Sequence, residues 1–257
     1  MTSTANLTTP ITLITGGSRG LGAAMAVALA RDGHDIVLTY REAASAADAV
    51  VAQIQALGRR ALALPLDVAE AATFPAFVER LRQGLAAWGA SRLDGLINNA
   101  GTGVHASFAE TTPEGFDSMV AIHLKGPFFL TQALLPVLAD GARVLNISSG
   151  LARFTVPGYA AYATMKGGVE VLSRYQAKEL AARGICVNTL APGAIATDFG
   201  GGAVRDNADL NRFLASVTAL GRVGEAQDIG GAAAALMRPG ANWITGQRVE
   251  ASGGMFL

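Results

Sequence analysis

The chain has 257 residues, of which 51% are hydrophobic and 16% charged, enough apolar material for a large buried core. Twenty basic and twenty acidic residues cancel, which argues against a basic nucleic-acid-binding stripe and against an acidic, disordered arm. The single cysteine, Cys186, excludes an intrachain disulfide, and no Cys/His spacing suits zinc. We therefore expect a reducing, cytoplasmic setting and no metal.

The polar N-terminal segment MTSTANLTTP lacks the charged and apolar regions of a secretory signal. We predict a flexible tail over residues 1–10 and a single domain over 11–257. The apolar runs are far too short to span a membrane. Neither a membrane nor nucleic acid is expected as a partner.

Strand and helix patterns alternate along the chain. Apolar runs predict seven strands, within 11–15, 35–40, 59–68, 93–101, 142–149, 185–193 and 247–254. Helical spacing predicts helices over 20–33, 44–57, 74–87, 114–139 and 158–183. Uninterrupted apolar strands indicate burial on both faces, so we predict an α/β, Rossmann-type doubly wound fold with a seven-stranded parallel sheet and helices on both faces. The least patterned stretch, 197–222, is predicted to be a mobile lid.

A glycine-rich loop, TGGSRGLG (15–22), joins the first strand to the first helix. Its glycines permit a tight turn and a close approach of backbone to a pyrophosphate, and the helix N-terminus favours that anion. The loop therefore predicts a dinucleotide site, although turns use glycine too. The candidate residues are Gly16, Ser18, Arg19, Gly20, Leu21 and Gly22.

The end of the second strand selects the cofactor. An acidic residue there would bind the ribose 2′-hydroxyl of NAD and repel a 2′-phosphate, but this chain has Tyr40 and Arg41. Arg41 and Arg19 suit a phosphate, so we predict NADP(H) in preference to NAD(H). The alternative is two solvated arginines, with Glu42 partly neutralising Arg41.

Tyr162 and Lys166 are four residues apart and share one helix face. A nearby ammonium lowers the pKa of a phenol from about 10, which makes Tyr162 a candidate proton donor or acceptor for a carbonyl/alcohol pair. Tyr159 is too far from Lys166 for contact and is interpreted as packing or as a pocket wall. Ser149, at the end of the fifth strand, is placed to donate to a developing alkoxide.

Together these motifs resemble the short-chain dehydrogenase/reductase family, in its compact single-domain branch, over 11–254. The matching stretches are TGGSRGLG, LDV (66–68), NNAG (98–101), ISS (147–149), YATMK (162–166) and PGAIATD (192–198). LGRVGE (220–225) and ITGQ (244–247) add a similarity to 3-oxoacyl-[acyl-carrier-protein] reductases and glucose-dehydrogenase-like members.

The resemblance implies that Tyr162 is the general acid, that Lys166 lowers its pKa and holds the nicotinamide ribose, and that Ser149 positions the carbonyl. It implies further cofactor contacts from Asp67, Val68, Asn99, Ala100, Gly101, Pro192, Gly193, Ile195 and Thr197. In isolation these residues have ordinary alternatives, such as Asp67 as a helix N-cap. The family usually forms tetramers, so a homotetramer is expected, in part through helix 158–183.

One position departs from the family pattern. His123, in AIHLKG (121–126), stands where the family usually has an asparagine that holds a proton-relaying water. A neutral imidazole both donates and accepts, so His123 is predicted to hold the same water and to add a pH dependence near neutrality. The alternative is a buried structural histidine. His34 and His105 are interpreted as surface or loop residues.

We therefore predict an NADPH-dependent carbonyl reductase, reversible as an alcohol dehydrogenase, with a small-molecule carbonyl or alcohol substrate. One candidate substrate is a 3-oxoacyl thioester. The alternatives are a sugar or polyol dehydrogenase and a non-catalytic NADPH-binding sensor. An apolar pocket wall is suggested by Phe154, Val156, Phe199 and Phe213, each of which could equally be packing.

Overall fold

All seven strands form one parallel sheet in the order β3-β2-β1-β4-β5-β6-β7, in a computed structural model that describes residues 9–257. The strands are β1 (Ile11–Ile14), β2 (Asp35–Tyr40), β3 (Ala61–Pro65), β4 (Leu93–Asn98), β5 (Leu138–Ile147), β6 (Cys186–Pro192) and β7 (Arg248–Ala251). The predicted Rossmann-type fold is confirmed. The strand order reverses between β1 and β4, and sheets of this kind bind ligands beyond the carboxyl ends at that point.

Nine α-helices are assigned within the described residues. They are α1 (Gly20–Arg31), α2 (Ala44–Ala56), α3 (Phe74–Ala87), α4 (Pro113–Val120), α5 (Gly126–Leu134), α6 (Ala160–Leu180), α7 (Ala203–Asp206), α8 (Ala208–Ser216) and α9 (Ala226–Met237). One apolar core packs α3 to α6 on the sheet, and a second packs α1, α2 and α9 on the opposite face. Neighbouring residues of β1 show the two-sided burial, since Leu13 lies in the first core and Ile14 in the second.

The single long helix predicted over 114–139 is wrong in two respects: it contains a π-helical turn, and it ends earlier than predicted. The chain forms α4, then a π-helical turn at Ala121–Lys125, then α5, which ends two residues before Pro136. Leu135, the C-cap residue, keeps helical backbone angles, and the helix ends there, ahead of Pro136. The fifth strand consequently begins at Leu138 rather than at 142.

Two further regions differ from the predictions. The unpatterned stretch 197–222 contains α7 and α8, and the unpredicted α9 begins with a capping box between Glu225 and Asp228. His34 is buried and does not lie on the surface as predicted. Its Nδ1 lies 2.9 Å from the hydroxyl of Thr12, so the buried ring has a polar partner.

The predicted tail falls mainly on residues 1–8, which lie outside the described part of the chain. Pro10, just before β1, already pairs with the start of β2, since its carbonyl accepts a 2.9 Å hydrogen bond from the amide of Asp35. Within residues 9–257, no helix has both the length and the apolar character needed to cross a membrane.

Candidate active site

The glycine loop is held by the ends of β1 and β4. The Asn99 side-chain amide donates to the carbonyls of Thr15 (2.8 Å) and Gly16 (3.1 Å). The buried hydroxyl of Thr15 accepts from the backbone amides of Asn99 and Ala100, both at 3.0 Å. Asn99 and Ala100 therefore shape the predicted cofactor site by bracing its loop. Thr15 was missed as a site residue from the sequence, although it is the first residue of the loop.

Two loop positions have room only for glycine. Gly16 has φ +65°, and a Cβ there would lie 2.9 Å from the Ala100 Cα atom. A Cβ on Gly22 would lie 2.1 Å from the Gly16 carbonyl oxygen, so α1 starts in direct contact with the loop. Arg19, at the N-cap of α1, makes no side-chain cap. A helix start without a side-chain cap after a tight glycine loop suits the phosphates of a dinucleotide.

The end of β2 leaves its arginine at the surface. The Arg41 Nε atom lies 3.0 Å from a carboxylate oxygen of Glu42, and the two side chains are 59% and 79% exposed. Arg19 is also exposed, whereas Tyr40, like Ser18 and Leu21, is half-buried. The Arg41–Glu42 pair is the alternative that the sequence left open. An exposed pair of this kind contributes little, so Arg41 can exchange its partner for a phosphate.

The loop after β3 carries Asp67 and Val68. One carboxylate oxygen of Asp67 accepts the amide of Ala69 at 2.9 Å in a local turn, and the helix N-cap offered as its alternative is wrong, because Glu70 is at the N-cap of the next helical element. Val68 is almost fully buried, and its carbonyl packs on Gly126 at the start of α5. Asp67 remains half-buried, so its other oxygen keeps a ligand-binding role open.

The segment after β6 approaches the glycine loop. Pro192 is the buried last residue of β6, and Ile195 pairs with Gly224 in a short bridge. Thr197 is nearly buried, and a Cβ on Gly20 would lie 4.0 Å from its Cβ atom. Gly193 packs on Ser252, where a Cβ would lie 2.8 Å from the Ser252 Cα atom. Thr197 is therefore the residue of this segment that lies nearest the glycine loop at Gly20.

Ser149, Tyr162 and Lys166 come together where β5 meets the first turns of α6. Ser149 follows the last strand residues, and its side chain is near enough to that of Tyr162 to affect the pKa of the phenol. The Lys166 ammonium donates to the carbonyl of Ile147 at 2.7 Å and lies 5.5 Å from the centre of the Tyr162 ring. Tyr162 and Lys166 are both buried, with 7% and 5% of their surface exposed.

Burial controls the protonation of this pair. It raises the pKa of Tyr162 above its usual value, and the nearby Ser149 side chain acts in the opposite direction. Burial also lowers the pKa of Lys166 to about 7, so the amine is only about half charged near neutrality. The expected lowering of the phenol pKa by Lys166 is therefore absent in the protein alone. Tyr162 is a neutral phenol, ready to donate a proton.

His123 lies in the π-helical turn with 1% of its surface exposed. Its Nε2 donates to the carbonyl of Thr102 at 2.7 Å, and its ring packs edge-on against Tyr162 at 5.2 Å between centres. Its Nδ1 is buried and finds no hydrogen-bond partner among residues 9–257. Gly101 leaves room for the ring, since a Cβ there would lie 2.7 Å from the His123 Cε1 atom.

Burial, followed by the nearby Lys166, lowers the pKa of His123 to about 3. The expectation that this residue titrates near neutrality is therefore wrong. The imidazole stays neutral at working pH, with Nε2 protonated and Nδ1 free to accept.

The segment 197–222, predicted to be a lid, contacts Tyr162 through Phe199. The Phe199 ring lies 5.6 Å from that of Tyr162 and fills the space above Gly103. A cavity of about 310 Å³ opens beside α6, lined by Ser107, Phe108, Leu151, Thr155, Val156, Pro157, Gly158, Tyr159, Ala160 and Ala163. Tyr159 lines this cavity, which is one of the two roles that the sequence left open for it. Phe154 instead packs on Phe256, and Phe213 is 55% exposed.

Comparisons with known proteins identify the class. The family profile described as enoyl-(acyl carrier protein) reductase matches residues 16–256. A 3-oxoacyl-[acyl-carrier-protein] reductase of Synechocystis sp. is 35% identical over 254 residues, covering 98% of this chain and 98% of that protein. The chain therefore belongs to the short-chain dehydrogenase/reductase family and is an oxidoreductase.

Two solved structures are similar over nearly the whole chain. The reductase LugOII, described as catalysing keto-reduction at C1 during lugdunomycin biosynthesis, has TM-score 0.92 at 40% identity, covering 98% of this chain and 100% of that one. The angucycline C-6 ketoreductase LanV with bound NADP has TM-score 0.91 at 36% identity, covering 98% and 97%.

Proposed function

We propose that this protein is an NADPH-dependent carbonyl reductase of bulky, apolar ketones. The observation that carries the proposal is the placement of the Ser149 and Tyr162 side chains near each other, beside the Lys166 amine. Two hydroxyls that meet in this way can hold one carbonyl oxygen between them. Both relatives with solved structures are described as acting on keto groups.

Each site residue has one role in this proposal. Tyr162 gives its proton to the substrate oxygen, and its raised pKa keeps that proton available at neutral pH. Ser149 donates to the same oxygen and orients the carbonyl. Lys166 binds the nicotinamide ribose. His123 holds a water through its free Nδ1 and passes protons towards Lys166.

The residues present suit a dinucleotide, because the tight glycine loop and the start of α1 leave space and amides for phosphates. The loop residues 16–22 would hold the pyrophosphate, and Asp67 and Val68 the adenine. Asn99, Ala100 and Gly101 would support it from β4, and Pro192, Gly193, Ile195 and Thr197 from β6. The bound cofactor supplies the hydride, and the protein supplies position and a proton.

NADP(H) is proposed over NAD(H) because β2 ends in Tyr40 and Arg41 without an acid. An Arg41→Ala variant should lose about 10- to 100-fold in affinity for NADPH but little for NADH, the scale of charge-assisted hydrogen bonds. Arg31→Ala, at the far end of α1, is the matched control. An unchanged NADPH/NADH affinity ratio in Arg41→Ala would overturn the preference.

Neither Ser149 nor Tyr162 lines the cavity beside α6, so we take this cavity as the place of the part of the substrate remote from the carbonyl. Its walls are mostly apolar and include the aromatic rings of Phe108 and Tyr159, which suit an aryl or polycyclic ketone. A 3-oxoacyl thioester is the second candidate, because a relative with that name covers the whole chain. Apolar walls offer few partners for a sugar or polyol. The intact Ser149, Tyr162 and Lys166 argue against a sensor that binds NADPH without turnover.

The assembly proposed is a homotetramer in the cytoplasm. Exposed apolar side chains on α5 and α6, namely Phe128, Phe129, Val171 and Tyr175, support an interface between copies of the chain. Sedimentation velocity of the purified protein would test the tetramer. A monomer at micromolar concentration would contradict it.

The proposed function is tested by following NADPH absorbance with an aryl ketone, a polycyclic ketone, a 3-oxoacyl thioester, an enoyl thioester and a sugar lactone. We expect consumption with a ketone. Tyr162→Phe should lose about 100-fold or more in kcat, the scale of general acid catalysis. Tyr175→Phe, at an exposed tyrosine of α6, is the control and should keep its kcat. Saturable NADPH binding without turnover of any compound would favour the sensor.

A further inference from the structure

A network of charged and polar side chains lies behind Ser149, at the junction of β5, α6 and β7. We call it the Glu170 network. It consists of Ser148, Arg153, Glu170, Arg248 and Glu250. None of its members was singled out from the sequence, because Glu170 and Arg248 are 78 residues apart.

Glu170 is the centre of the network. It lies four residues after Lys166 on α6, so both side chains face the end of β5. Its Oε1 accepts from the Ser148 hydroxyl at 2.8 Å and from the Arg248 Nε at 2.7 Å. The Glu170 and Arg248 side chains are only 15% and 23% exposed. Removing one partner would strand the other charge in a largely buried place.

Arg248 extends the network to Ser149 itself. One of its terminal nitrogens donates to the Ser149 carbonyl at 3.4 Å, and the other lies 2.8 Å from a carboxylate oxygen of Glu250. Glu250 in turn accepts from Arg153 at 2.7 and 2.8 Å. The short segment from Ser149 to Arg153 is therefore fixed at both ends by the same charges.

Other hydrogen bonds also hold the end of β5: the Ser148 amide donates to the Leu190 carbonyl at 2.8 Å, and the Ser148 hydroxyl lies 3.3 Å from the Lys166 carbonyl. The Lys166 ammonium binds the Ile147 carbonyl, but that amine is also the group proposed to bind the cofactor ribose. The Ser149 hydroxyl is needed for the substrate. No step of the proposed function uses the contacts of Glu170 with Ser148 and Arg248.

We propose that Glu170 and Arg248 are positioning residues that hold Ser149 in place beside Tyr162. The inference rests on the proposed function, because the two hydroxyls must converge on one carbonyl oxygen. A misplacement of about 1 Å at such a site costs about 100-fold in rate. The pair therefore controls kcat without touching substrate or cofactor.

The test compares variants of the pair with a matched control. Glu170→Gln and Arg248→Met remove one charge each, and Arg248→Lys keeps a cation at the same place. The control is Arg183→Met. Arg183 lies just after α6 and binds Asp140 near the start of β5 and the Leu135 carbonyl just before β5, so its contacts are at the ends of α6 and β5 away from Ser149. Each variant is assayed for ketone reduction, for NADPH binding by fluorescence, and for amide hydrogen exchange over 147–153.

We expect kcat to fall by about 10- to 100-fold in Glu170→Gln and Arg248→Met, with NADPH affinity within about 2-fold of the unchanged protein. Arg248→Lys should recover most of the loss. The double variant should be no worse than either single one, because the two residues act as a unit. Exchange over 147–153 should accelerate in the two charge-removing variants and not in Arg183→Met.

Two results would overturn the inference. One is a kcat that falls no further than in Arg183→Met, and the other is unchanged exchange over 147–153. Failure of the proposed function would look different, because the unchanged protein would then reduce no ketone. In that case the exchange experiment alone decides whether the pair holds Ser149.

Discussion

Replacement of His123 by asparagine should make the fold more tolerant of acid. The folded pKa of His123 is about 3, against 6.5 for a free side chain, so the unfolded chain binds a proton first as the pH falls. The folded state therefore loses stability as pH drops below 6.5, until the pH passes the folded value near 3.

The size of the effect follows from the two pKa values. At about pH 5 the unfolded histidine is almost fully protonated and the folded one is neutral, which costs about 2 kcal/mol of unfolding free energy at about 1.4 kcal/mol per pH unit. At about pH 7.5 both forms are neutral and the cost is close to zero. His34, whose pKa burial also lowers, is present in both proteins and cancels.

Urea unfolding at these two pH values measures the difference. The stability lost between about pH 7.5 and 5 should be about 2 kcal/mol smaller in His123→Asn than in the unchanged protein. His105→Asn, at an exposed histidine, is the control and should behave like the unchanged protein. Losses that agree within about 0.5 kcal/mol would refute a buried, neutral His123. The shape of the pH–rate profile near neutrality should not change in His123→Asn.

Three further substitutions test the site. Gly22→Ala should abolish NADPH binding, measured by fluorescence, because its Cβ would meet the Gly16 carbonyl at 2.1 Å; Gly231→Ala, with open space, is its control. Thr15→Val should cost about 1–3 kcal/mol in urea unfolding for each of the two amides it leaves unpaired, and an unchanged midpoint would contradict the bracing role. Phe199→Ala should lower KM for bulky ketones by uncovering Tyr162, whereas an equal change for small ketones would argue against a steric cover.

The strand pattern of the sequence was sufficient for the sheet. Each of the seven predicted strands is present, because parallel strands that are buried on both faces consist of apolar runs. The break after α4 was not predictable in the same way. Helical spacing continues through Ala121–Lys125, and only packing against Tyr162 and Thr102 shows why the backbone widens there to seat His123.

The spacing of neighbouring site residues along the chain was also predictable from the sequence. Tyr162 and Lys166 face one way because they are one helical turn apart, and the glycine loop follows a strand directly. These relations depend on short stretches of backbone geometry. These local relations do not depend on how distant parts of the chain pack.

The chemical state of the same residues was decided by the tertiary structure. Burial, not charge proximity, sets the pKa values of Tyr162, Lys166 and His123, and burial depends on elements distant in the chain. The Glu170–Arg248 pair likewise exists only because β7 returns beside β6. Spacing along a chain specifies which side chains can meet, but the dielectric around them is a property of the packed fold.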